Sequence, residues 1–564
     1  MHRSVESNQG NKEISKQGFL VYLFPCLLIL AFIVTGYLSV RGLSLTADEA
    51  KHYRYGENIL AGDSNRFDDS KMPVSALNAL PARLAGFLPD GTLKTWLQKF
   101  IMARMMTLLF SALVAFVVFI WARKLYGPAA GLAALALYVF DPNIIAHSQL
   151  VTTDIYAAGT ILFATYRLWK FARERTWFNG LLCVLFLGLS LIAKYTSIVL
   201  LPLFLLALVI HDWPQVRASG RAAIWKYVGR LVGYTVIAGL VSLLVINLGF
   251  LFNRSFTAFG EYRFRSDLFL QMQKTTPALA KLPIPVPYPY IEGLDWVLMR
   301  EQSGFGYGRI YFLGQLSEDK GFPGYYLVAF LLKEPLTTQI ILLSALIAYI
   351  LRWRMRRTLP KGTPVSEKEP LFRDVAQSKS ELFLFIPIAF FALYFNFFYN
   401  AQIGIRFYLV IFPLLYVFAG SFFEGWQKFS IQQKAASYAL FGYLLVSTFS
   451  YYPYFLTYFN EIVWDRKTAY KYLADSNIDW EQGKLYLQDY LTAHPQVDFA
   501  PLRMKPGFIV VGVDDLVGVT GLPGQYDWLR ENFEPVDSIA NEYLVYHISS
   551  QEFDEKCSQT GFCK

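Results

Sequence analysis

The chain has few cysteines and none of the cysteine patterns that bind zinc. Its 564 residues include four cysteines and six histidines, without a CxxC motif or a Cys/His cluster, which argues against a structural zinc site. It lacks a glycine-rich phosphate loop on a strand-to-helix turn, which argues against a nucleotide-binding domain. Internal repeats and low-complexity tracts are missing as well. Because transporters tend to have internal repeats, their absence from the sequence argues against a transporter.

Charged residues are also scarce, at 17% of the chain, whereas hydrophobic residues make up 54% and aromatic residues 17%. The mean hydropathy is +0.32. This composition is too apolar for one soluble core, and the chain is too long for one domain. The uncharged runs 19–40 and 178–193 are long enough to be membrane spans. The first run is too long for a signal peptide and has no small-residue cleavage site after it, so we predict a polytopic membrane protein.

Apolar length predicts about eleven spans, centred near residues 30, 110, 135, 162, 185, 202, 240, 338, 392, 415 and 444. The net charge of +9 is spread over alternate loops, as in cytoplasmic loops that follow the positive-inside rule. The positive charge is therefore explained by the membrane topology, and no nucleic-acid partner is predicted. With this topology the N-terminus is cytoplasmic and the C-terminal segment lies outside the cytoplasm.

The sequence predicts two domains, a transmembrane domain over residues 1–453 and an extracytoplasmic α/β domain over residues 454–564. Two external loops of the first domain are long, about residues 41–99 and 253–325. The second of these loops contains the proline run 282–289, which predicts an extended chain. Because loops of this length are usually functional, we expect it to be a mobile cover over the substrate.

The C-terminal domain has clear strand patterns. Residues 507–513 and 543–548 read as strands, and a helix is predicted from Asp475 toward Thr492. An oxidising compartment would permit a disulfide between Cys557 and Cys563, whereas Cys26 and Cys183 read as ordinary apolar residues within spans.

Asp48 and Glu49 stand just after the first predicted span, on its external side. Thr46 and Glu49 form a capping box, which predicts a helix from here to about Leu60. The cap accounts for Glu49 but does not need Asp48. A partly desolvated carboxylate beside the bilayer is basic enough to take a proton from an acceptor hydroxyl. Asp48 is therefore a candidate base, and His52, one turn later, either orients it or is simply solvated.

Further charges are predicted on the same face. Asp154 stands where a span re-enters the membrane, so it is a candidate site residue, with helix capping as the alternative. Lys71 precedes an interfacial helix and could bind a lipid phosphate or extend to the headgroups. Four more cations lie within or at the ends of spans: Arg104, Lys194, Lys333 and Arg406. Such a face suits a substrate with an anionic leaving group and a hydroxyl acceptor.

The order and sidedness of these motifs resemble a family of membrane enzymes. The motifs are Asp48-Glu49, Lys71-x-Pro73, Ala103-Arg104, Thr153-Asp154, Leu332-Lys-Glu-Pro335 after Gly314-x-x-Ser317, and Arg406-Phe-Tyr-x-x-x-x-Phe-Pro413. Together they resemble the GT-C membrane glycosyltransferases of the protein O-mannosyltransferase and aminoarabinose (lipid A) transferase kind, glycosyltransferase family 39, in a bacterial form. The resemblance covers roughly residues 19–453.

The resemblance implies a GT-C-type helical fold in the bacterial cytoplasmic membrane, with interfacial helices in the first external loop. It also implies a polyprenyl-phosphate sugar donor and an extracytoplasmic acceptor, which is a lipid, a glycan or a protein. The implied catalytic residues are Asp48 as base, with Glu49 and Asp154. The implied ligands of the donor phosphate are Lys71, Arg104 and Arg406, followed by Lys194 and Lys333. Met72 departs from the pattern, because the family often has proline there, and the C-terminal domain is not the carbohydrate-binding module of the eukaryotic enzymes.

Physical arguments support the same class of donor. Nucleotide sugars are cytoplasmic, whereas every candidate acid here is external. A phosphate leaving group can be stabilised by cations alone, and a single displacement would invert the anomeric carbon. No metal is predicted, since the first external loop lacks Asp-x-Asp, although the adjacent Asp68 and Asp69 leave a divalent cation open. The alternative functions are a lipid or solute transporter, including a flippase, and, third, a scaffold for an envelope complex.

Overall fold

The computed structural model describes residues 23–63, 70–303, 308–358 and 375–560. The predictions for Asp68, Asp69 and Cys563 lie outside the described residues. Cys557 is disulfide-bonded, whereas Cys26 and Cys183 are free.

The described residues form a mostly helical protein with a small sheet near its C-terminus. The helices up to the large external loop are α1 (Leu23–Val40), α2 (Glu49–Ala61), α3 (Ala76–Ala85), α4 (Thr92–Leu97), α5 (Phe100–Tyr126), α6 (Pro128–Val139), α7 (Pro142–Ser148), α8 (Asp154–Glu174), α9 (Trp177–Leu191), α10 (Leu200–Ala218) and α11 (Arg221–Gly249). The later elements are α12 (Asp267–Thr275), α13 (Pro277–Ala280), α14 (Tyr288–Ser303), β1 (Ile310–Phe312), β2 (Gln315–Ser317), α15 (Tyr325–Lys333), α16 (Leu336–Thr358), α17 (Val375–Phe397), α18 (Phe412–Ala419), α19 (Ile431–Phe449), α20 (Lys484–Ala493), β3 (Asp498–Phe499), β4 (Gly507–Gly512), α21 (Val513–Val517), α22 (Asp527–Asn532), β5 (Asp537–Ile539), β6 (Tyr543–Ile548) and α23 (Ser550–Thr560).

Seven helices within the described ranges are long and apolar enough to cross a membrane: Leu23–Val40, Phe100–Tyr126, Tyr195–Ala218, Arg221–Gly249, Leu336–Arg354, Lys379–Phe397 and Ile405–Phe423. The pair α6 and α7, bent by 62°, makes an eighth if it is counted as one span. The predicted count of eleven is therefore not confirmed. One reason is that α9 has only 15 residues, whereas a span needs about 20.

The long helices are apolar on their outer surfaces as well as in the core. Leu240 and Leu343 expose about 60% of their surface (62% and 59%), as expected for side chains that face lipid. Inside, α5 and α8 approach closely at Gly159, where a Cβ atom would lie 2.5 Å from both Phe110 and Val114. Small residues at such contacts are typical of helix packing in membranes.

The first external loop contains the predicted helix. It begins at Glu49 and ends at Ala61, and Gly62 follows in the left-handed conformation at φ 77°. Glu49 reaches back to the backbone N–H of Thr46 at 2.9 Å, while the Thr46 hydroxyl finds no partner among the described residues. Half of the capping box is thus formed. After it, a 3₁₀ turn at Pro73–Ser75 leads directly into α3.

The large external loop is folded rather than irregular. It contains α12 to α14 and the antiparallel β1–β2 hairpin. The proline run has no helix over 282–287 but bends at residues 285 and 286, and α14 begins at Tyr288. At the end of this loop, the Arg309 guanidinium donates to the carbonyl oxygens of Gly518 and Gly521 at 3.3 and 2.6 Å. The loop is therefore fastened to the C-terminal domain.

The C-terminal domain has a four-stranded sheet in the order β3-β4-β6-β5, parallel between β3 and β4 and antiparallel elsewhere. The two predicted strands correspond to β4 and β6. The predicted helix from Asp475 is wrong at its start, because α20 begins only at Lys484 and residues 475–477 form a short 3₁₀ turn. The reason is tertiary: Ser476 and Asn477 hydrogen-bond to the chain around Ile403 and Ile405.

Helix α2 lies tightly against the chain that follows Lys71. A Cβ at Gly56 would lie 2.7 Å from the carbonyl carbon of Ser75 and closer still to its oxygen. Because both are backbone atoms, Gly56→Ala should force the two segments apart, at a cost of about 1–3 kcal/mol, and lower the melting temperature of the purified protein. Gly229→Ala, in a helix with nothing within 4 Å, is the matched control. Equal melting temperatures for the two variants would contradict this packing.

Candidate active site

A cavity of about 400 Å³ opens beside the N-terminus of α2. Five of the eight charged residues proposed from the sequence line it: Asp48, Lys71, Asp154, Lys194 and Arg406. They come from four separate parts of the chain, so the fold brings together what the sequence keeps more than 350 residues apart. The cavity contains both carboxylates and cations, as the sequence predicted for this face.

Asp48 lies between two cations. Its carboxylate is 2.9 Å from the Arg406 guanidinium and 3.5 Å from the Lys71 ammonium. Burial by itself would raise the pKa of Asp48, but Arg406 and Lys71 outweigh it and hold that pKa well below its usual range. The side chain keeps 25% of its surface exposed, whereas those of Lys71 and Arg406 keep 6% and 9%. Asp48 is therefore an ionised carboxylate that a substrate can reach.

A second ion pair lines the cavity. The Lys194 ammonium lies 2.5 Å from Asp154, the first residue of α8, and 4.0 Å from the centre of the Phe407 ring. The N-terminus of a helix favours a carboxylate. The side chain of Asp154 makes no cap, since Thr153 is the capping position and no side-chain cap bond forms there. The capping alternative for Asp154 is thus not what the structure shows.

Glu49 and Arg104 form a separate pair outside the cavity lining. The Arg104 guanidinium donates to Glu49 at 2.6 and 2.8 Å and to the carbonyl oxygens of Val40, Leu43 and Ser44. Glu49 is completely buried and also accepts from the backbone of Thr46 and Val151. With its donors occupied by the protein, Arg104 fastens α5 to the end of the first span. The structure therefore does not bring Glu49 or Arg104 to the substrate space.

The divergence of two neighbouring carboxylates has a simple geometric cause. Successive residues on a helix are rotated by about 100°, so Asp48 and Glu49, at the start of α2, point in different directions. One reaches the cavity and the other reaches α5. His52, one turn later, lines the same cavity, and burial lowers its pKa to about 3, so it is neutral. Its Nδ1 lies 3.2 Å from the Ser75 hydroxyl rather than bonding Asp48.

Lys333 is also away from the cavity. Its buried ammonium donates to the carbonyl oxygens of Leu456 and Asn477, at 2.9 and 2.6 Å. Both acceptors belong to the start of the C-terminal domain. Lys333 therefore supports the segment 475–482 rather than lining the candidate site.

The segment 475–482 in turn positions Arg406. Gly404 adopts φ 116°, a conformation that favours glycine, and lets the chain turn beneath Ser476. The next backbone N–H, at Ile405, donates to Asn477 at 3.0 Å. The ring of Trp480 then covers the Arg406 guanidinium at 4.2 Å, which is a cation–π contact.

The cavity has lining residues that the sequence reasoning missed. They are Lys51, Trp296, Arg300 and Tyr399, among others. Trp296 and Arg300 belong to α14 of the large external loop, and the guanidinium lies 4.0 Å from the Trp296 ring centre. Their spacing of four residues puts them on one helix face, and this was the signal available in the sequence. The loop predicted to cover the substrate thus contributes a cation to the cavity.

The arrangement can bind an anion and activate a hydroxyl. Three of the residues proposed from the sequence supply cations, and Lys51 and Arg300 add two more. Within the described part of the chain, the buried Nε–H of Arg406 meets no acceptor, so this donor is available to a phosphate oxygen. Asp48 lies 2.9 Å from that same guanidinium. A base and an anion site therefore adjoin each other at the membrane edge.

Part of the chain is similar to a known protein family. Residues 95–242 match the family described as dolichyl-phosphate-mannose-protein mannosyltransferase. This segment runs from α4 into α11 and includes Arg104, Asp154 and Lys194. No curated protein sequence matches the chain.

Solved structures show likenesses at low identity. ArnT from Cupriavidus metallidurans bound to undecaprenyl phosphate is 12% identical, with a TM-score of 0.44 over 92% of this chain and 97% of that one. The archaeal oligosaccharyltransferase AglB from Archaeoglobus fulgidus, in complex with an inhibitory peptide and a dolichol-phosphate, is 12% identical, with a TM-score of 0.45 over 94% and 75%. At these TM-scores the likeness carries no argument about activity.

The family match agrees with the motifs, since it covers the span that begins near Arg104 and the one that begins at Asp154. The chain is a polytopic, mostly helical membrane protein, and its residues 95–242 match the dolichyl-phosphate-mannose-protein mannosyltransferase family.

Proposed function

We propose that the protein transfers a hexose or pentose from a polyprenyl-phosphate donor to a hydroxyl or phosphate of an extracytoplasmic lipid, glycan or protein. The observation that carries this proposal is the position of Asp48 between Lys71 and Arg406, in a cavity that also holds the Asp154–Lys194 pair. The family match supports the class of donor, because its description names a dolichyl-phosphate sugar. We place the enzyme in a bacterial cytoplasmic membrane, with the cavity on the outer face.

The ion pairs of Asp48 explain how donor binding would activate it. A carboxylate held by two cations is a weak base, because those cations stabilise its charge. A donor phosphate would take over Lys71 and the guanidinium of Arg406, including its Nε–H. Asp48 would then lose part of that stabilisation and become more basic at the moment when the donor is in place. Asp48 therefore lies against the same two cations that would hold the donor phosphate.

The reaction needs one base and one anion site. The acceptor oxygen attacks the anomeric carbon while its proton passes to Asp48. The bond between that carbon and the phosphate oxygen breaks, and the phosphate keeps the electron pair, so polyprenyl phosphate leaves with its charge held by Lys71 and Arg406. Attack opposite to the leaving group inverts the anomeric carbon. No step requires a metal, and metal independence remains a prediction.

Replacement of the base tests the catalytic role. Asp48→Asn should lower turnover at least about 100-fold, the usual contribution of a general base. It should bind polyprenyl phosphate at least as tightly as the wild type does, because the amide no longer competes for Lys71 and Arg406. The assay measures release of polyprenyl phosphate from a panel of polyprenyl-phosphate hexoses and pentoses, and intrinsic fluorescence gives the Kd.

Asp90→Asn is the matched control, since Asp90 lies in the same external loop, on an exposed surface, and pairs only with Lys94 in the contacts seen here. Normal turnover in Asp48→Asn would remove Asp48 as the base. Mass spectrometry of envelope glycolipids and glycoproteins from cells with each variant identifies sugar and acceptor. Identical profiles, with stably inserted protein, would favour the transporter alternative.

Loss of a phosphate ligand should act on the donor instead. Lys71→Ala should raise the KM for the donor about tenfold or more, because a hydrogen bond to a charged group contributes about 1.5–3 kcal/mol. The kcat should fall less than in Asp48→Asn. Lys94→Ala, on the same loop but outside the cavity, should leave KM unchanged. An unchanged KM in Lys71→Ala would rule out its contact with phosphate.

Trp480 should act as a positioning residue through Arg406. Trp480→Leu removes the ring that covers the guanidinium, and a cation–π contact contributes about 0.5–2 kcal/mol, so the donor KM should rise about two- to thirtyfold. Trp480→Phe keeps an aromatic face and should restore part of the affinity. If both variants lose thermal stability and activity together, without this difference in KM, Trp480 only supports the fold.

A further inference from the structure

A polar cavity lies at the other end of the bundle from the candidate active site. Its volume is about 610 Å³, and it is bounded by the far ends of α8, α10 and α11 and the start of the span in α17. Helix α8 begins at Asp154 in the active site and ends beside this cavity, and its 21 residues span about 30 Å. That distance is the thickness of the hydrocarbon core of a bilayer.

The cavity is basic. Four cations line it, namely Arg173, Arg175, Arg230 and Lys379, against the single carboxylate of Asp212. Asp212 is occupied by Arg175 at 2.5 Å and by the ring of His211 at 2.8 Å. This carboxylate therefore neutralises only part of the charge, and the cavity has an excess of donors suited to an anion.

Exposed tryptophans surround this end of the bundle. Trp177 and Trp225 expose 77% and 76% of their surface, and Trp213 exposes 42%. They lie at the start of α9, near the start of α11 and toward the end of α10. Since exposed tryptophans gather where membrane and water meet, the basic cavity lies at the level of the lipid headgroups.

An apolar groove continues from the cavity toward the middle of the bundle. It has a volume of about 330 Å³ and is bounded by α8, α9, α10 and α11. Tyr234 lines both spaces. The guanidinium of Arg175, in the cavity, lies 5.1 Å from the ring centre of Phe171, which lines the groove. The two spaces thus adjoin and form a site with a cationic end and an apolar end.

We propose that this site binds an anionic membrane phospholipid, with its phosphate in the basic cavity and one acyl chain in the groove. Charge and shape both match, because an anionic phospholipid pairs a headgroup phosphate with an adjoining hydrocarbon chain. Basic pockets between transmembrane helices are a known way to hold such headgroups. Because α8 joins this site to Asp154, the bound lipid would fix the far ends of the helices that carry the active site. The proposal does not depend on the sugar transfer.

The test is native mass spectrometry of the full-length protein in detergent, titrated with phosphatidylglycerol. Arg230→Gln together with Lys379→Gln should weaken the retained phospholipid about fivefold or more. Arg221→Gln together with Lys226→Gln removes the same charge from α11 outside the cavity and should leave binding unchanged. Equal retention by the wild type and the first variant, or equal losses in both variants, would overturn the proposal.

The groove has its own test. Leu181 lines it and is 46% exposed, so Leu181→Trp fills it without disturbing the core and should also weaken retention. Leu240→Trp, on α11 but outside the groove, is the matched control. Titration with polyprenyl phosphate in a Lys71→Ala background distinguishes the two sources of lipid phosphate. Retention of polyprenyl phosphate at the basic cavity, with no retention of phosphatidylglycerol, would overturn the phospholipid assignment.

Discussion

A charge at the apolar edge of a membrane protein needs a partner, because the cost of removing an ion from water is several kcal/mol. In this protein the three carboxylates proposed from the sequence each meet that condition through distant cations. Asp48 pairs with Lys71 and Arg406, Glu49 with Arg104, and Asp154 with Lys194. The pairs of Asp48 and Glu49 join the first external loop to the chain before α18 and to α5, and the pair of Asp154 joins the start of α8 to the chain before α10. The candidate site therefore forms only when the folded chain brings these carboxylates and cations within ion-pair distance.

The pairs differ in accessibility to solvent, and this difference distinguishes a pair that stabilises the fold from a pair that a ligand can reach. Glu49 has no exposed surface and has protein partners for both oxygens. Asp48, the preceding residue in the chain, keeps a quarter of its side-chain surface exposed toward a cavity. A substrate phosphate can compete for the cations around Asp48, whereas Arg104 already donates to protein oxygens. Two similar ion pairs thus differ in role, and the burial of each carboxylate determines whether a ligand can reach its cations.

The C-terminal segment and the large loop between α11 and α15 both contribute to the candidate site. The segment 475–482 fixes the backbone at Ile405 and covers Arg406 with Trp480. The carbonyl oxygen of its last residue, Gln482, accepts a hydrogen bond from the backbone N–H of Ser44 in the first loop. The Lys333 ammonium donates to the carbonyl oxygen of Asn477 in the same segment. The large external loop contributes Arg300 and is itself fastened to the C-terminal domain through Arg309. A change in either external element therefore reaches the cations that would hold the donor.

The sequence alone predicted the membrane class, the helix from Glu49 to about Leu60, the strands β4 and β6 and a face rich in paired charges, because these depend on local patterns of hydropathy, capping and alternation. It also predicted the family resemblance, since the motifs keep their order along the chain. The capping box set Glu49 apart from Asp48, but Glu49 was still grouped with the catalytic residues and Arg104 with the phosphate ligands, because these residue types are equivalent until burial and partners are known. It missed Arg300 and placed a helix at Asp475, where contacts with Ile403 and Ile405 hold a different conformation. Only the tertiary structure decides these points, because each depends on atoms that lie far away in the sequence and meet when the chain folds.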